Sequence, residues 1–341
     1  MSKTEDQALL MIDDELMQKW DLALERHPEA NFLQSPKYGI MNQLTGARAL
    51  VDDFDGQGWA LMIVRDAKRG RYLEIPCGPL VNWKEAKATR TVFLRIRELA
   101  EREKCVFVRV RPQLLATAEN LKLLEELGLK KSPMHLAAEH TVMIDLNLPE
   151  EELLAKMRRQ TRYEVRRAEK LGIKVVMDNS QEIFEEFCRV QGETAKRQDF
   201  VPPSLKVLMA EREAFSHDIM IYKAVTAEGE AIAYGLIIRG GKEADYYEAA
   251  STELNRKLPG AYALLWRAIL DAKAAGYARF NLWGIAPAGQ PHHRYAGVTT
   301  FKTGFPGEVV EFVPAHDMVI SRLGYLKDFV VEAARKKRRH L

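Results

Sequence analysis

The sequence contains few cysteines, no long apolar run and almost no excess of either charge. Cys77, Cys105 and Cys188 are its only cysteines, and they form neither a CxxC pair nor a Cys/His spacing, which argues against a disulfide framework and a zinc site. No stretch approaches the ~18 apolar residues that a membrane-spanning helix needs, and residues 1–10 lack the basic-then-apolar pattern of a signal peptide. We therefore expect a protein of the reducing cytoplasm.

The charge balance excludes a protein that coats nucleic acid through its overall field. The 341 residues include 51 lysines and arginines against 48 aspartates and glutamates, for a formal net charge of +3. Any anion must therefore be bound by a local basic patch. The hydrophobic fraction of 47% at this length is typical of a globular chain with room for two cored domains.

One basic patch is a predicted helix over residues 153–172, LLAKMRRQTRYEVRRAEKLG. Its apolar residues fall on one stripe, and seven basic but only two acidic side chains occupy the rest. A charge run is usually a solvated helix face, but here the two glutamates are too few to pair with all the guanidinium groups. The pattern favours a helix that binds a polyanion, and we expect Arg162 and Arg166 to contact substrate.

Hydrophobic periodicity predicts the same order of elements in both halves of the chain. The first half reads as a helix at 13–26, strands at 47–54, 59–65 and 71–76, a helix at 84–103, a strand at 105–110, a helix at 118–127 and a strand at 141–146. After the basic helix come a strand at 173–178, helices at 181–196 and 204–213, strands at 219–226, 230–239 and 243–250, a helix at 260–275 and strands at 278–283 and 308–313. A hairpin followed by a third strand, a long helix and another strand indicates mixed-sheet α/β domains of the acyltransferase type.

The segment LNLPEEE at 146–152 reads as a joint between two domains. We predict a first domain over residues 1–148, a second over 149–317, and a helix at 318–341 that packs on the first. The basic sequence ARKKRRHL at 334–341 is open to two interpretations: a solvated helix end, or an arm for anionic lipid or RNA.

Several ordered motifs resemble those of the Fem-type peptidoglycan bridge-forming aminoacyltransferases. The resemblance runs from about Phe32 to Asp317 and is densest in the second half. The motifs are Lys156 with TR at 161–162, RRA at 166–168 and Gly172; TAKR at 194–197 with Phe200; DYY at 245–247 with AAS at 249–251; LP at 258–259 with Tyr262 and LLW at 264–266; Gly276 with FNLWGI at 280–285; and GV at 297–298 with FKTGF at 301–305.

The resemblance implies a fold and a reaction. The fold is a tandem of two GNAT-like acyltransferase domains; some members insert a long coiled-coil arm, and this sequence resembles the armless form because it lacks paired heptads of that length. The implied reaction moves an amino acid from aminoacyl-tRNA to the side-chain amine of the stem peptide in a peptidoglycan precursor, lipid II or UDP-MurNAc-pentapeptide. The partners are then the tRNA and the muropeptide. We expect a monomer at the inner face of the plasma membrane, in peripheral contact with anionic lipid.

Aminoacyl transfer needs positioning, a proton acceptor and positive charge for the tetrahedral oxyanion. Lys302 in FKTGF is the candidate for that charge, because its apolar neighbours suit a partly dry site. Tyr246 and Tyr247 lie on a strand, so one faces the core and the other is available to hydrogen-bond or relay a proton. His316 and Asp317 follow the last predicted strand and are candidates to orient the amine, or a loop pair that makes local turn bonds.

The candidate catalytic residues are therefore Lys302, Tyr247 and Asp317. The substrate-binding candidates share either a cation or an aromatic surface, and they are Lys37, Tyr38, Arg162, Arg166, Arg197, Tyr246, Trp283 and His316. Arg197 suits a phosphate or a carboxylate, or alternatively caps its own helix. Arg111 adds a cation that either serves an acceptor with an additional carboxylate, such as a diaminopimelate stem, or is an ordinary surface residue. No general base is identified.

We expect no cofactor and no metal. An acetyl-CoA enzyme of this fold carries a Q/R-x-x-G-x-G/A loop whose amides cradle the pyrophosphate, and residues 250–266, ASTELNRKLPGAYALLW, do not form one. His292 and His293 are adjacent and have no third ligand. The alternatives are an aminoacyltransferase acting on a protein N-terminus, an N-acyltransferase with another donor, and an RNA-binding scaffold. The scaffold is disfavoured because Tyr163 is the only aromatic residue in the basic helix.

Overall fold

The computed structural model describes residues 14–68, 70–198, 200–290, 293 and 295–339. The chain forms two compact units: one built from residues up to Glu139 and from Glu311 onward, the other from His140–Pro291 and Tyr295–Val310. Among the described residues, no helix is both long and apolar enough to cross a membrane.

The helices and strands up to Glu139 are α1 (Asp14–Arg26), α2 (Pro36–Leu44), β1 (Arg48–Asp52), β2 (Gly58–Ala67), β3 (Gly70–Pro76), β4 (Leu80–Val81), α3 (Ala86–Arg102), β5 (Phe107–Arg111), α4 (Ala118–Glu126) and β6 (Lys130–Lys131). From His140 they are β7 (His140–Asp145), α5 (Glu150–Lys156), α6 (Arg159–Lys170), β8 (Lys174–Asp178), α7 (Gln181–Gln198), α8 (Leu205–Phe215), β9 (Ile219–Val225), β10 (Ala231–Gly240), β11 (Glu243–Ser251), α9 (Gly260–Ala274), β12 (Arg279–Asn281), α10 (Ala296–Lys302), β13 (Glu308–Glu311), β14 (His316–Val319) and α11 (Arg322–Arg339).

The first unit contains a mixed sheet with strand order β1-β2-β3-β5-β14-β6, and β4 pairs with β2. Strands β3 and β5 are parallel, as the crossover through α3 requires. Helix α3 forms because Val92, Ile96 and Ala100 recur on one face, which is buried in the core of this unit.

The second unit repeats the arrangement with strand order β13-β7-β12-β11-β10-β9-β8. Here β11 and β12 are the parallel pair, and α9 makes the crossover. Its buried residues Leu264, Leu265, Ala268 and Ile269 join the core of this unit. The predicted fold class, two mixed α/β units with a hairpin and a crossover in each, is confirmed.

The sheets place two strands differently from the expected division at residues 148 and 317. Strand β7 belongs to the second sheet, where Asp145 and Arg279 are register partners. Strand β14 lies between β5 and β6 in the first sheet. Strand patterning indicates that a segment is a strand but not which neighbour it pairs with, so the strand at 141–146 was placed in the wrong half. The strand β14 was not predicted, since His316 and Asp317 were expected in a loop after the last strand.

The predicted single basic helix at 153–172 is wrong in one respect: it is broken at Met157 and Arg158. Both residues have extended backbone, with ψ values of 145° and 143°. Met157 is buried in the core, and the Arg158 backbone N–H donates to the Gly304 carbonyl at 2.9 Å. Tertiary contacts therefore override the helical periodicity at this point.

A buried ion pair ties β14 and α11 to the first sheet. The Arg109 guanidinium donates to both oxygens of Asp317 at 2.8 and 2.9 Å and to Glu332 on α11 at 2.7 Å. Tyr325 on α11 donates its hydroxyl to Asp317 at 3.0 Å. Asp317 is 0% exposed, so its carboxylate is wholly committed to this network.

We predict that Asp317→Ala lowers the free energy of unfolding by about 3–5 kcal/mol, because it leaves the Arg109 guanidinium buried with one carboxylate partner fewer. Chemical denaturation measures the change. Glu126→Ala, which removes an exposed ion pair with Lys122, is the matched control and should cost less than about 1 kcal/mol. Equal losses in the two variants would contradict a structural role for Asp317.

Candidate active site

The most unusual charge in the second unit is the ammonium group of Lys302. Lys302 ends α10, is 8% exposed, and donates from Nζ to the Gly284 carbonyl at 2.9 Å. The ammonium also lies 5.8 Å from the centroid of the Tyr246 ring. In the described part of the chain no carboxylate pairs with it. Since an ammonium has three N–H groups, two remain for a ligand oxygen.

The Gly284 carbonyl is positioned by a sharp turn at the end of β12. The Asn281 side chain accepts from the Trp283 backbone N–H at 2.9 Å and from the Thr141 hydroxyl at 2.5 Å. Trp283 has a φ of 59°, a conformation that a bulky residue adopts only when its surroundings impose it. A side chain at Gly284 would collide with the Tyr295 ring. The turn thus directs a backbone carbonyl at the ammonium.

Aromatic residues enclose the same segment. Phe301 and Phe305 flank Lys302, and both rings contact Tyr262 of α9, with centroid separations of 5.0 and 6.2 Å. The apolar flanks that the FKTGF motif suggested are therefore present. Burial lowers the pKa of Lys302 to about 7, so the free amine is partly neutral at physiological pH. An anion bound at Nζ would restore the charge.

Tyr246 and Tyr247 divide between the two sides of the sheet as predicted. Tyr246 is 5% exposed, and its ring lies against Gly235 and Leu264 in the core. Tyr247 is half-buried, and its ring meets that of Trp283 edge-on with a centroid separation of 5.3 Å. Lys302 therefore lies against Tyr246 on one side of the sheet, and Tyr247 lies against Trp283 next to the point where the pairing of β11 and β12 ends.

The basic helix α6 packs on α9 through its buried residues Thr161 and Ala168. Its outer face lines a surface groove of about 430 Å³, formed by Arg159, Arg162, Tyr163, Arg166, Arg167 and Lys170. Arg167 pairs with Glu164 at 3.0 Å. Arg159, Arg166 and Lys170 are exposed and make no ion pair with any described residue.

Two of the predicted binding arginines are already engaged. Arg162 donates from Nη1 to the carbonyls of Leu154 and Ala155 at 3.0 and 2.9 Å, which caps the end of α5. Arg197 pairs with Glu253 at 3.2 Å and also donates to the Ser251 carbonyl. The sequence pattern indicated these cations, but it could not show that their guanidinium groups bind backbone carbonyls of the same unit. Of the two arginines predicted on α6, Arg166 is the one left open to a ligand.

An acidic pair in the same unit was not anticipated from the sequence. Glu248 follows the bulge of β11 and accepts from Gln191 of α7 at 2.6 Å. Glu211 of α8 is 3% exposed, and in the described structure its Oε2 and Gln191 Oε1 have no hydrogen-bond partner. Burial raises the pKa of Glu248 to about 7. Burial, and then the nearby Glu248, raise that of Glu211 well above its usual range. The pair therefore retains a proton near neutral pH.

Only tertiary packing brings this cluster together, since its members lie on α7, α8 and β11. An isolated glutamate on an amphipathic helix, such as Glu211, gives no signal of its own. The one hint is that Glu211 falls between the buried residues Leu208 and Phe215 of its helix.

The FemAB family model matches residues 18–224 and 204–330, which is most of the chain. The chain belongs to the FemAB family. The predicted family resemblance is thereby confirmed.

Two relatives match a shorter segment of the chain in sequence, and two solved structures match nearly the whole chain in fold. Aminoacyltransferase FemA of Staphylococcus epidermidis is 33% identical over 82 residues, and FemA of Staphylococcus aureus is 30% identical over 82 residues. In each case the match covers 24% of this chain and 20% of FemA's length. The crystal structure of FemX superposes with a TM-score of 0.82 at 17% identity, covering 93% of this chain and 98% of FemX. L-PGS from Bacillus licheniformis gives a TM-score of 0.59 at 16% identity, covering 96% and 98%.

The remaining predicted residues of this FemAB chain lie in the first unit. Lys37 and Tyr38 are half-buried in the first turn of α2, where the Ser35 hydroxyl accepts from the Tyr38 N–H at 3.2 Å. Arg111 is no surface residue: it is 1% exposed and donates from Nη2 to Cys77 Sγ at 2.9 Å.

His316 and Asp317 do not form the open loop pair that was expected. His316 is 3% exposed, and its Nδ1 lies 2.7 Å from the Pro314 carbonyl. Burial lowers its pKa. Both residues form strand β14 between two neighbours, so the catalytic assignment of Asp317 and the binding assignment of His316 are corrected to structural ones. Pro314 and Ala315, which precede them, suggested a loop. The strand itself is only four residues long, too short to give a clear strand pattern in the sequence.

In the described residues, no group of three His, Cys, Asp or Glu side chains could hold a metal ion. His292, which the sequence places beside His293, lies outside the described residues. So do the side chains at 335–341 of the basic tail.

We predict that Lys302→Met stabilises the fold by on the order of 1–3 kcal/mol at pH 7, because it removes a buried charge that has no carboxylate partner. Between pH 7 and about 10.4, the reference value for lysine, the unfolded state binds more protons than the folded state. The stability of the wild type therefore falls as the pH drops through that window, and the advantage of the variant grows until pH 7 and then levels off. Urea unfolding at a series of pH values tests this.

Lys174→Met, at an exposed position of β8, is the control and should show no such pH dependence. A Lys302→Met variant whose stability tracks that of the wild type at every pH would contradict the depressed pKa.

Proposed function

We propose that this chain is an aminoacyltransferase that transfers an amino acid from aminoacyl-tRNA to the stem-peptide amine of a peptidoglycan precursor, either UDP-linked or lipid-linked. FemAB membership supports the class, and the FemA relatives carry the name aminoacyltransferase. The observation that carries the proposal is the enclosed Lys302 ammonium with unused N–H groups. That arrangement suits an oxyanion that forms in the reaction and is absent from the ground state.

In the proposed reaction the acceptor amine nitrogen bonds to the ester carbonyl carbon of the donor. The carbonyl oxygen becomes an oxyanion, to which Lys302 Nζ donates. When the tetrahedral intermediate collapses, the bond to the ribose oxygen breaks, and the tRNA leaves with a free hydroxyl. The attacking amine brings two N–H protons: one stays on the amide nitrogen of the product, and a base takes the other, which ends on the ribose oxygen.

Glu248 is the group that we assign as this base. The pairing of β11 with β12 ends at Asp245 and Asn281, so the edge of β11 from Tyr246 to Glu248 is left open beside Trp283. Glu248 is half-buried, whereas Glu211 is fully buried. A carboxylate with a pKa of about 7 takes up a proton more readily than an ordinary glutamate.

Two features support tRNA rather than coenzyme A as the donor. Arg159, Arg166 and Lys170 offer an exposed set of cations for a polyanion. In contrast, the start of α9, where a pyrophosphate would lie in a coenzyme A enzyme, is already capped: the Asn255 side chain accepts from the Ala261 N–H at 3.0 Å. An N–H that is occupied in this way cannot cradle phosphate.

The test of the proposal is transfer of radiolabelled amino acids from a mixed pool of charged tRNAs to the UDP-linked and lipid-linked muropeptides, each with lysine or diaminopimelate at the third position. We expect label on at least one acceptor, and we expect Lys302→Met to lower the rate by about 100-fold or more, as loss of an oxyanion donor does. Because Lys302→Met should fold at least as stably as the wild type, loss of rate cannot be assigned to unfolding.

Lys174→Met again serves as the matched control. Wild-type transfer by Lys302→Met would remove Lys302 from the reaction. Label on a protein N-terminus and on neither muropeptide would overturn the proposed acceptor.

The roles of the acidic pair predict opposite effects of two conservative substitutions. Transfer by the wild type should rise with pH as Glu248 loses its proton and fall as Lys302 loses its own, both near pH 7. Glu248→Gln should remove that rise and lower the rate by about 100-fold or more. Glu211→Gln should keep both the rate and the rise, because a neutral amide replaces a carboxyl group that is already protonated. A pH profile of kcat/KM measures all three.

Glu186→Gln is the control, on the helix α7 that carries Gln191. Glu186 pairs with Lys223 at 2.8 Å, and its substitution should leave the profile unchanged. If Glu211→Gln abolished transfer while Glu248→Gln retained it, the assignment of the base would be wrong.

A further inference from the structure

Helix α11 turns its polar side toward the protein. Tyr325 donates to Asp317, and Glu332 accepts from Arg109. Asp328, on the same side, is 4% exposed. At 100° per residue these three positions fall within an arc of about 60°. The inner face of the helix is therefore held by hydrogen bonds and ion pairs and not by an apolar stripe.

The opposite side of α11 is apolar and exposed. Leu323 is 80% exposed, Leu326 60% and Val330 58%. These residues also span about 60° of the helix, roughly opposite the centre of the inner face. Phe329, 38% exposed, flanks the stripe. A surface helix normally buries its apolar stripe and exposes its polar side, so α11 is inverted.

The charge beside this stripe indicates what covers it. Lys327 lies next to it, and the sequence continues within the helix as Arg335, Lys336, Lys337, Arg338 and Arg339. A second copy of the same helix would bring like charges together. An RNA would find one aromatic side chain in the stripe and no platform for its bases. Apolar residues on one side of a basic helix match the boundary between the headgroups and acyl chains of an anionic membrane.

We propose that α11 is a membrane-surface element that lies on an anionic lipid bilayer, with Leu323, Leu326 and Val330 inserted below the headgroups and Lys327 at their phosphates. The proposal is independent of the transfer reaction. It also gives the protein direct access to the surface in which a lipid-linked acceptor resides.

The test is flotation of the full chain with vesicles of phosphatidylcholine, with and without phosphatidylglycerol. We expect the wild type to float with the anionic vesicles only, and added salt to weaken binding. The double variant Leu326→Glu/Val330→Glu should bind at least about tenfold more weakly, since it places charges in the apolar boundary. Both positions are exposed, so the fold should survive, which circular dichroism and the melting temperature verify.

Leu94→Glu is the matched control. Leu94 is 61% exposed on α3 of the same unit, and its substitution adds the same type of charge without touching the stripe. It should bind vesicles as the wild type does.

Three results would overturn the proposal. They are no binding of the wild type to anionic vesicles, equal losses in Leu94→Glu and in the double variant, and a concentration-dependent dimer in sedimentation velocity that the double variant abolishes. The last would identify a second copy as the occupant.

Discussion

The candidate site exists because the parallel pairing of β11 and β12 stops after Asp245 and Asn281. Up to that point the strands form an ordinary crossover through α9. Beyond it, Asn281 turns the chain, Trp283 adopts a left-handed conformation, and the Gly284 carbonyl meets Lys302 instead of a neighbouring strand. The segment after Asn281, which would otherwise have continued the pairing with β11, thus lines the candidate site. Tyr246, Tyr247 and Glu248 are left on an open edge where a substrate backbone could pair.

Two buried cations, Arg109 and Lys302, differ in whether a carboxylate compensates their charge. Arg109 is surrounded by Asp317 and Glu332 within ion-pair distance, so its burial is compensated and serves the fold. Lys302 has one neutral carbonyl and an aromatic ring. A charge left uncompensated in this way destabilises the protein until an anion arrives. A buried lysine of this kind is expected where its role is to bind a developing negative charge and not to stabilise the fold.

Most helices and strands, and the family, could be predicted from the sequence, because periodicity and ordered motifs are local properties. The strands 219–226 and 243–250 and the helix 260–275 were predicted within one or two residues of their ends in the structure. The errors arose where a contact distant in sequence decides the outcome: the break at Met157, the strand β14, which was expected to be a loop, and the burial of His316. Lys302 could be chosen as a candidate because its motif is short and contiguous. Glu211 was missed because its partner Glu248 is on another element, and no spacing rule joins them.

The fold by itself does not determine the substrate. FemX and L-PGS share this fold at 17% and 16% identity, so the scaffold tolerates almost complete replacement of its sequence. What separates donors is local: where a coenzyme A enzyme leaves the start of the crossover helix free for pyrophosphate, Asn255 closes it here. The donor that we propose is instead a carrier that the protein binds elsewhere. The exposed cations of α6, in the same unit as Lys302, are the described residues best suited to hold one.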